Sequence, residues 1–274
     1  MRALVTGATG TVGRLVVPHL LEAGVAVRAL TRRPETANLP TGVEVIAGDL
    51  VNPDSLAPAF DAVDVVFLIA ADDQTEAVTE IAREAGVSRI VTLSSASAGF
   101  QDNPGGNYHR DFELAVERSQ LDWTHIRPGM FATNLLDWAE VIKTSRTVRA
   151  PFDNARQAPV HEEDVAAVVA AAITSNAHIG AVYTLSGPDS LTKSEQIAAI
   201  SAAIGEPVQY EEITPEQWRT ENPHLPSYVG DWLLGYWQNA LAAPEPVLPD
   251  VPNVLGRPAT PLLAWARDHK EEFL

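Results

Sequence analysis

The chain has 274 residues, 46% hydrophobic and 20% charged, with a formal net charge of −17 and no cysteine. That length and balance predict a folded core of one large domain, or a core with a smaller lobe, and exclude a disordered chain. The acidity speaks against a nucleic-acid partner, and the lack of cysteine excludes disulfides, thiolate chemistry and Cys-ligated zinc or iron–sulfur clusters.

In chain order, residues 3–6 form a short apolar run that stops at Gly7, too soon for a secretory leader. Residues 12–23 have helical spacing and end at Gly24, with Pro18 predicting a kink inside the helix. Residues 25–30, 43–47, 65–70 and 90–94 read as buried strands rich in Val and Ile. Helices are expected at 54–60 and 75–85, then at 107–120 and 133–143 around a strand at 123–127. This alternation predicts an α/β fold: a Rossmann-type, doubly wound parallel sheet covered on both faces. The longest apolar run, 165–173, is half the length a bilayer needs. The expectation is therefore a cytoplasmic protein with no membrane contact.

Half of the 20 prolines fall between Pro207 and Pro261. Thr192-x-x-Glu195 predicts a capped helix over 193–204, and Thr214-Pro215 and Thr260-Pro261 each pair an N-cap with proline at the first helical position. Between them lie Trp218, Tyr228, Trp232, Tyr236 and Trp237, either the core of a lobe or a wall for a flat substrate. The division expected is a dinucleotide-binding core over 1–150. Residues 151–274 are expected to return partly to that core and to form a smaller, α-rich C-terminal substrate lobe.

Residues 1–40 hold five arginines against two glutamates, a net +3, so the other 234 residues carry −20. The basic end coincides with Gly7-Ala8-Thr9-Gly10-Thr11-Val12-Gly13, a glycine turn between the first strand and a helix. Glycines allow a tight turn and close approach to a pyrophosphate, and the helix start offers free N–H groups. The second strand ends in Leu30-Thr31-Arg32-Arg33, without the carboxylate that reads the ribose in NAD-specific sites. Arginine there suits a 2′-phosphate. The cofactor expected is NADP(H), with Arg32 the main reader and Arg33 second. Arg14 serves either a phosphate or the helix surface.

The Thr6-to-Gly13 start resembles the short-chain dehydrogenase/reductase superfamily. Ala29 to Pro34, Gly48-Asp49-Leu50, Leu121 to Asn134, Pro159 to Ala166 and Tyr183 to Pro188 are similar to its atypical NmrA-like branch. That branch includes NAD(P)H:quinone oxidoreductases and redox-sensing regulators. The resemblance covers residues 1–213 and is thin over 214–274. It implies that Asp49 and Leu50 border the adenine, that Ile69, Ala70 and Ala71 line the ribose side, and that Pro128, Gly129, Met130 and Phe131 flank the nicotinamide.

The superfamily's Tyr-x-x-x-Lys pair is broken, because Phe112 stands four residues after Tyr108. The serine beyond the fifth strand has an ambiguous register in Ser94-Ser95-Ala96-Ser97. In its place the branch offers histidine on this helix with glutamate four residues on, matched by His109 and Glu113. His109, beside Tyr108, is the candidate catalytic group. No metal is expected, since His178, His224 and His269 are isolated and His125 and His161 sit in strand-type motifs. These features point to an NADPH-dependent reductase of a quinone or polyketide-like aromatic carbonyl. The resemblance leaves open a partner oxygenase. It also leaves open a non-catalytic, NADP(H)-sensing regulator with a protein partner. A sugar-nucleotide epimerase is argued against by the missing Tyr/Lys pair.

Overall fold

In the computed structural model, residues 1–100 and 104–274 are described. The chain runs through β1 (Arg2–Val5), α1 (Gly13–Glu22), β2 (Ala26–Thr31), β3 (Glu44–Ala47), α2 (Ala57–Phe60), β4 (Val65–Ile69), α3 (Thr75–Glu84) and β5 (Arg89–Leu93). It continues through α4 (Pro104–Arg118), β6 (Asp122–Pro128), α5 (Ala139–Ser145), β7 (Thr147–Ala150), α6 (Glu162–Thr174) and β8 (Val182–Leu185). Then follow α7 (Lys193–Ile204), β9 (Gln209–Glu212), α8 (Pro215–Glu221), α9 (Ser227–Ala242), α10 (Asp250–Leu255) and α11 (Leu262–Asp268).

Packing divides the chain into two compact units. The first comprises Met1–Gly129, Glu162–Leu185 and Pro249–Arg257. Its seven strands pair in the order β3-β2-β1-β4-β5-β6-β8, every neighbour parallel. The order reverses between β1 and β4, which opens the crevice that doubly wound sheets use for ligands. Both faces are covered, so strands such as β4 are almost wholly buried. Leu4, Leu30, Phe60, Val66, Leu68, Val78, Ile90 and Val116 form the core on one face. Helix α6, apolar nearly all round, packs with α1 and α10.

The second unit comprises Met130–His161, Ser186–Leu248 and Pro258–Leu274. One core gathers Ile142, Val148, Ile197, Ile200, Leu262, Trp265 and Phe273, and a smaller one gathers Ala150, Ile213 and Trp218. Its two-stranded parallel sheet, β7 with β9, has no signature in sequence: each strand has four residues, and β9 reads Gln-Tyr-Glu-Glu.

Several expected elements differ in detail. The helix over 54–60 is a 3₁₀ turn, Pro53–Ser55, followed by the single turn of α2. The helix over 133–143 starts as 3₁₀, Ala132–Trp138, where Asn134 N bonds back only three residues to Phe131 O. The Thr192 and Thr214 caps form as full capping boxes, the latter with Gln217. At the last helix Pro261 is itself the N-cap, so Thr260 lies one position outside. Among the described residues, no helix is long and apolar enough to cross a membrane.

Candidate dinucleotide and active site

The carboxyl ends of the parallel strands put the loops after β1, β2, β3, β4, β5 and β6 along one edge of the first unit. The loop after β1 is the tightest. Gly7 takes φ +59°, and Gly10 N donates to Gly7 O at 2.9 Å. A Cβ on Gly13 would lie 2.7 Å from the Gly7 carbonyl carbon and 2.9 Å from Ala8 Cα. This is a cradle that only glycine permits, with the start of α1 at its mouth. Thr9, Gly10 and Thr11 are exposed on it, while Val12 is buried and contributes only backbone. Ile69 floors the loop, 3.0 Å from where a Gly7 Cβ would sit. Thr6 ties the strands together, donating from Oγ1 to Phe67 O at 2.9 Å and accepting from Ile69 N at 3.0 Å.

Beside this loop lies a cavity of about 520 Å³ lined by Thr9, Arg14, Thr31, Arg33, Thr36, Ala37, Asn38, Leu39 and Pro40. Its lining holds two guanidinium groups and no carboxylate. Arg14 Nη2 donates to Thr9 O at 3.1 Å, which anchors that arginine across the loop. Arg33 lines the cavity, whereas Arg32, the residue sequence reasoning ranks first, is exposed and outside the lining. The segment 36–40 was not singled out from sequence; Asn38, with φ +43° between Pro34 and Pro40, is the local signal for its turn. Two other arginines of the basic end serve elsewhere. Arg28 is buried and bonds Glu44 and the carbonyls of Pro58, Ala59 and Asp61. Arg2 opens β1 at the amino end of the strands, away from these loops, its backbone N–H bonding Asp64 at 2.6 Å.

After β3, Asp49 N–H donates to Ser55 Oγ at 3.1 Å, and Leu50 is buried in the core. After β4, Ala70 is half-buried, Ala71 is buried and Asp72 adopts φ +49°. Tyr108, 42% exposed, donates its hydroxyl to Asp72 Oδ1 at 2.9 Å. Burial and that carboxylate push the Tyr108 phenol up, opposite to the shift a lysine partner would give. Tyr108 therefore lacks the activation that the superfamily's lysine gives its tyrosine. Two of the serines past β5 are used locally: Ser95 Oγ caps the 3₁₀ turn Ala96–Gly99 through Ser97 N, and Ser97 Oγ bonds Ser95 Oγ at 2.9 Å.

His109 is half-buried, and its Nδ1 is buried without a hydrogen-bond partner. Burial lowers its pKa, and the nearby Glu113 charge only partly opposes this, so the ring is neutral at pH 7. The spacing to Glu113 suggests a hydrogen-bonded pair, and the structure corrects that. The Glu113 carboxylate is fully buried and taken by Arg127 at 2.8 and 2.6 Å and by Arg110 at 3.0 Å. Burial alone would raise its pKa, but the Arg127 hydrogen bonds outweigh that and hold it at about 2. Glu117 and His125 complete the cluster, with donor atoms of all three within 4.8 Å of one another. Arg110 also takes Glu117 at 2.6 Å, and His125 stacks on Trp123 and bonds Thr92 at 2.7 Å, so the group is an ion-pair network clamping α4 to β6.

Pro128 and Gly129 end the first unit at the carboxyl end of β6, where Gly129 N bonds Leu185 O at 2.8 Å. Met130 and Phe131 open the second unit; Phe131 bridges to Val160, and Met130 packs on the larger core with Trp138. The aromatics of the second unit divide. Trp218 and Trp237 pack edge to face at 5.2 Å in the smaller core, while Tyr228 and Trp232 are exposed.

A family described as NAD(P)H-binding matches residues 7–176. The chain is 38% identical to the (4-alkanoyl-5-oxo-2,5-dihydrofuran-3-yl)methyl phosphate reductase of Streptomyces griseus, over 98% of both chains. It is 34% identical to an NAD(P)H azoreductase of Xenophilus azovorans, again over 98% of both. The crystal structure of Citrobacter triphenylmethane reductase complexed with NADP(H) superposes with a TM-score of 0.84 at 23% identity, covering 98% of this chain and 99% of that one. With the glycine cradle and the strand order, these matches place the chain in the NAD(P)H-binding family, among its oxidoreductases.

Proposed function

We propose that the chain is an NADPH-dependent reductase whose acceptor is a small, neutral, electron-poor ring, a quinone or a polyketide-like aromatic carbonyl. The observation that carries the cofactor reading is the cavity at the end of β2, with Arg14 and Arg33 and no carboxylate in its lining. That donor set fits a 2′-phosphate and would leave NADH without a partner for either guanidinium. The glycine cradle fits a pyrophosphate, since any side chain at Gly13 would fill it. When bound, the dihydronicotinamide supplies hydride to the acceptor ring. The chain's own residues bind and orient. Neutral His109, with its unpartnered Nδ1, is suited to hydrogen bonding rather than to acid catalysis at pH 7. A quinone suits such weak machinery because the phenolates formed need little proton help.

The phosphate ester in the Streptomyces griseus relative's name raises a second acceptor class, an unsaturated lactone phosphate. The second unit favours the neutral class. Arg146, Arg149, Arg156 and Arg219 are already paired with Glu206, with Glu211 and Glu221, with Glu195 and with Asp231. Nothing in this reading requires a second protein.

Anaerobic oxidation of NADPH with benzo-, naphtho- and anthraquinones tests it. Turnover to the hydroquinone is expected, with His109→Ala lowering kcat about tenfold and sparing NADPH affinity. No turnover across the panel despite tight NADPH binding would sink the acceptor reading.

A further inference from the structure

The short stretch that leaves β4 is held at both ends. At its start Ile69 N donates to Thr6 Oγ1 at 3.0 Å, and the Ile69 side chain floors the glycine loop. At its far end Asp72 takes φ +49°, in the left-handed region that side chains normally avoid. Asp tolerates that region better than most residues, but it persists where the surroundings impose it, and such positions gather at ligand clamps. Two contacts impose it here. The Tyr108 hydroxyl donates to Asp72 Oδ1 at 2.9 Å, and Thr75 Oγ1 donates to the Asp72 carbonyl at 3.3 Å.

Tyr108 itself stands on a fixed base. Gly106, two residues earlier on α4, lies against the turn after β5. A Cβ there would be 2.9 Å from Phe100 O and closer still to Ser97 O. Only glycine allows that approach, so the first turns of α4 are seated on the β5 loop. The Tyr108 ring meets the His109 ring edge to face at 5.3 Å. The bond to Asp72 therefore joins the loops after β4 and β5 through the start of α4, all within the first unit.

Strand order decides which part of a dinucleotide this arrangement reaches. The cavity with Arg14 and Arg33 lies at the end of β2, the glycine loop follows β1, and β4 is next in the sheet. A dinucleotide with its 2′-phosphate in that cavity and its pyrophosphate on that loop carries its other ribose towards the end of β4. We propose that Tyr108 is a positioning residue for the nicotinamide half of the cofactor, holding the Ala70–Ala71 backbone through Asp72 as the wall on which that half seats. This deepens the NADPH reading above and rests on its placement of the cofactor. The work needs a protonated phenol and no lysine. Burial and the Asp72 carboxylate keep the phenol protonated, and Phe112 stands where a lysine would be. A hydrogen bond to a carboxylate is stronger than one between neutral groups, which suits a contact that holds a left-handed residue.

Calorimetric titration with NADPH, NADH and ADP tests this on wild type, Tyr108→Phe, Asp72→Asn, Asp72→Gly and the Tyr108→Phe/Asp72→Gly double variant. Melting curves check folding. Tyr108→Phe keeps the ring beside His109 and loses the hydroxyl; Asp72→Gly keeps the left-handed turn and loses the acceptor. Each should raise the Kd of NADPH and of NADH about fivefold and leave that of ADP, which stops at the pyrophosphate, within about twofold. Asp72→Asn still offers an accepting oxygen and should stay within about twofold of wild type. The double variant should lose no more than either single one. An unchanged NADPH Kd in folded Tyr108→Phe overturns the proposal. So does an equal loss of ADP, which would make the pair a general brace of the fold, and so do losses that add in the double variant. If wild type binds NADH as tightly as NADPH, the 2′-phosphate reading fails, and the shared change in the two dinucleotide Kd values still decides this one.

Discussion

Gly13 carries no side chain because the Gly7 backbone occupies the place where one would sit. Backbone cannot swing aside as a side-chain tip can, so Gly13→Ala must deform the phosphate loop. We expect a loss of about 1–3 kcal/mol in stability and a more than tenfold rise in NADPH Kd, read by thermal melting and by fluorescence titration. The glycine spacing was legible in sequence because glycine does a job no other residue can. The arginine ranking was not. Arg32 and Arg33 are chemically identical, and only the 3₁₀ turn Pro34–Thr36 and the Asn38 turn decide which one faces the cavity. Arg33→Ala should weaken NADPH binding about tenfold to a hundredfold, as loss of a charge-assisted contact does, and Arg32→Ala several-fold less. A larger loss from Arg32→Ala than from Arg33→Ala would restore the ranking read from sequence.

At the scale of elements, α4 is held by charge as well as by its apolar face. Glu113 is buried between Arg127 and Arg110, and removing one partner strands the others. Glu113→Gln should cost about 3–5 kcal/mol in urea denaturation. Its carboxylate, near pKa 2 when folded against the usual 4.5, stabilises the fold above pH 4.5, and that contribution is lost as pH falls from 4.5 through 2. The i, i+4 spacing to His109 was visible in sequence, but the claim of Arg127 on the same carboxylate was not, because it comes from the neighbouring strand β6. Helix α7 gives the opposite case. Its first residue, Lys193, is buried, and burial lowers its pKa to about 8, only partly offset by Asp153 and Glu212. The unfolded chain then holds more protons between about pH 8 and 10.5, so this group adds stability as pH rises through that window. Wild type should gain about 3 kcal/mol relative to Lys193→Met between pH 7.5 and 10.5, measured by denaturation at both. A constant difference would show that Lys193 is not desolvated. Strands β7 and β9 stayed hidden in sequence because four-residue, half-polar strands carry no usable period.

For the whole molecule, the net charge of −17 divides unevenly, and the structure narrows what its basic end does. Of the five arginines in residues 1–40, Arg28 braces β2 against β3 and Arg2 lies at the amino end of β1. Arg14 and Arg33 remain on the cavity, with Arg32 at its margin in sequence. The parallel sheet was legible because short Val- and Ile-rich strands recur, most of them separated by a helix, over the first 130 residues. The second unit was less so, since its longest stretch has 63 residues where the first unit has an unbroken run over Met1–Gly129, and its two strands have four residues each. The central claim is that this chain reduces its acceptor with NADPH and discriminates against NADH through the cavity arginines. The direct measurement is kcat/KM for NADPH and for NADH with 1,4-naphthoquinone, in wild type and Arg33→Ala. We predict at least a tenfold preference for NADPH in wild type that collapses in the variant through loss of NADPH alone. Equal kcat/KM for the two cofactors in wild type would contradict it.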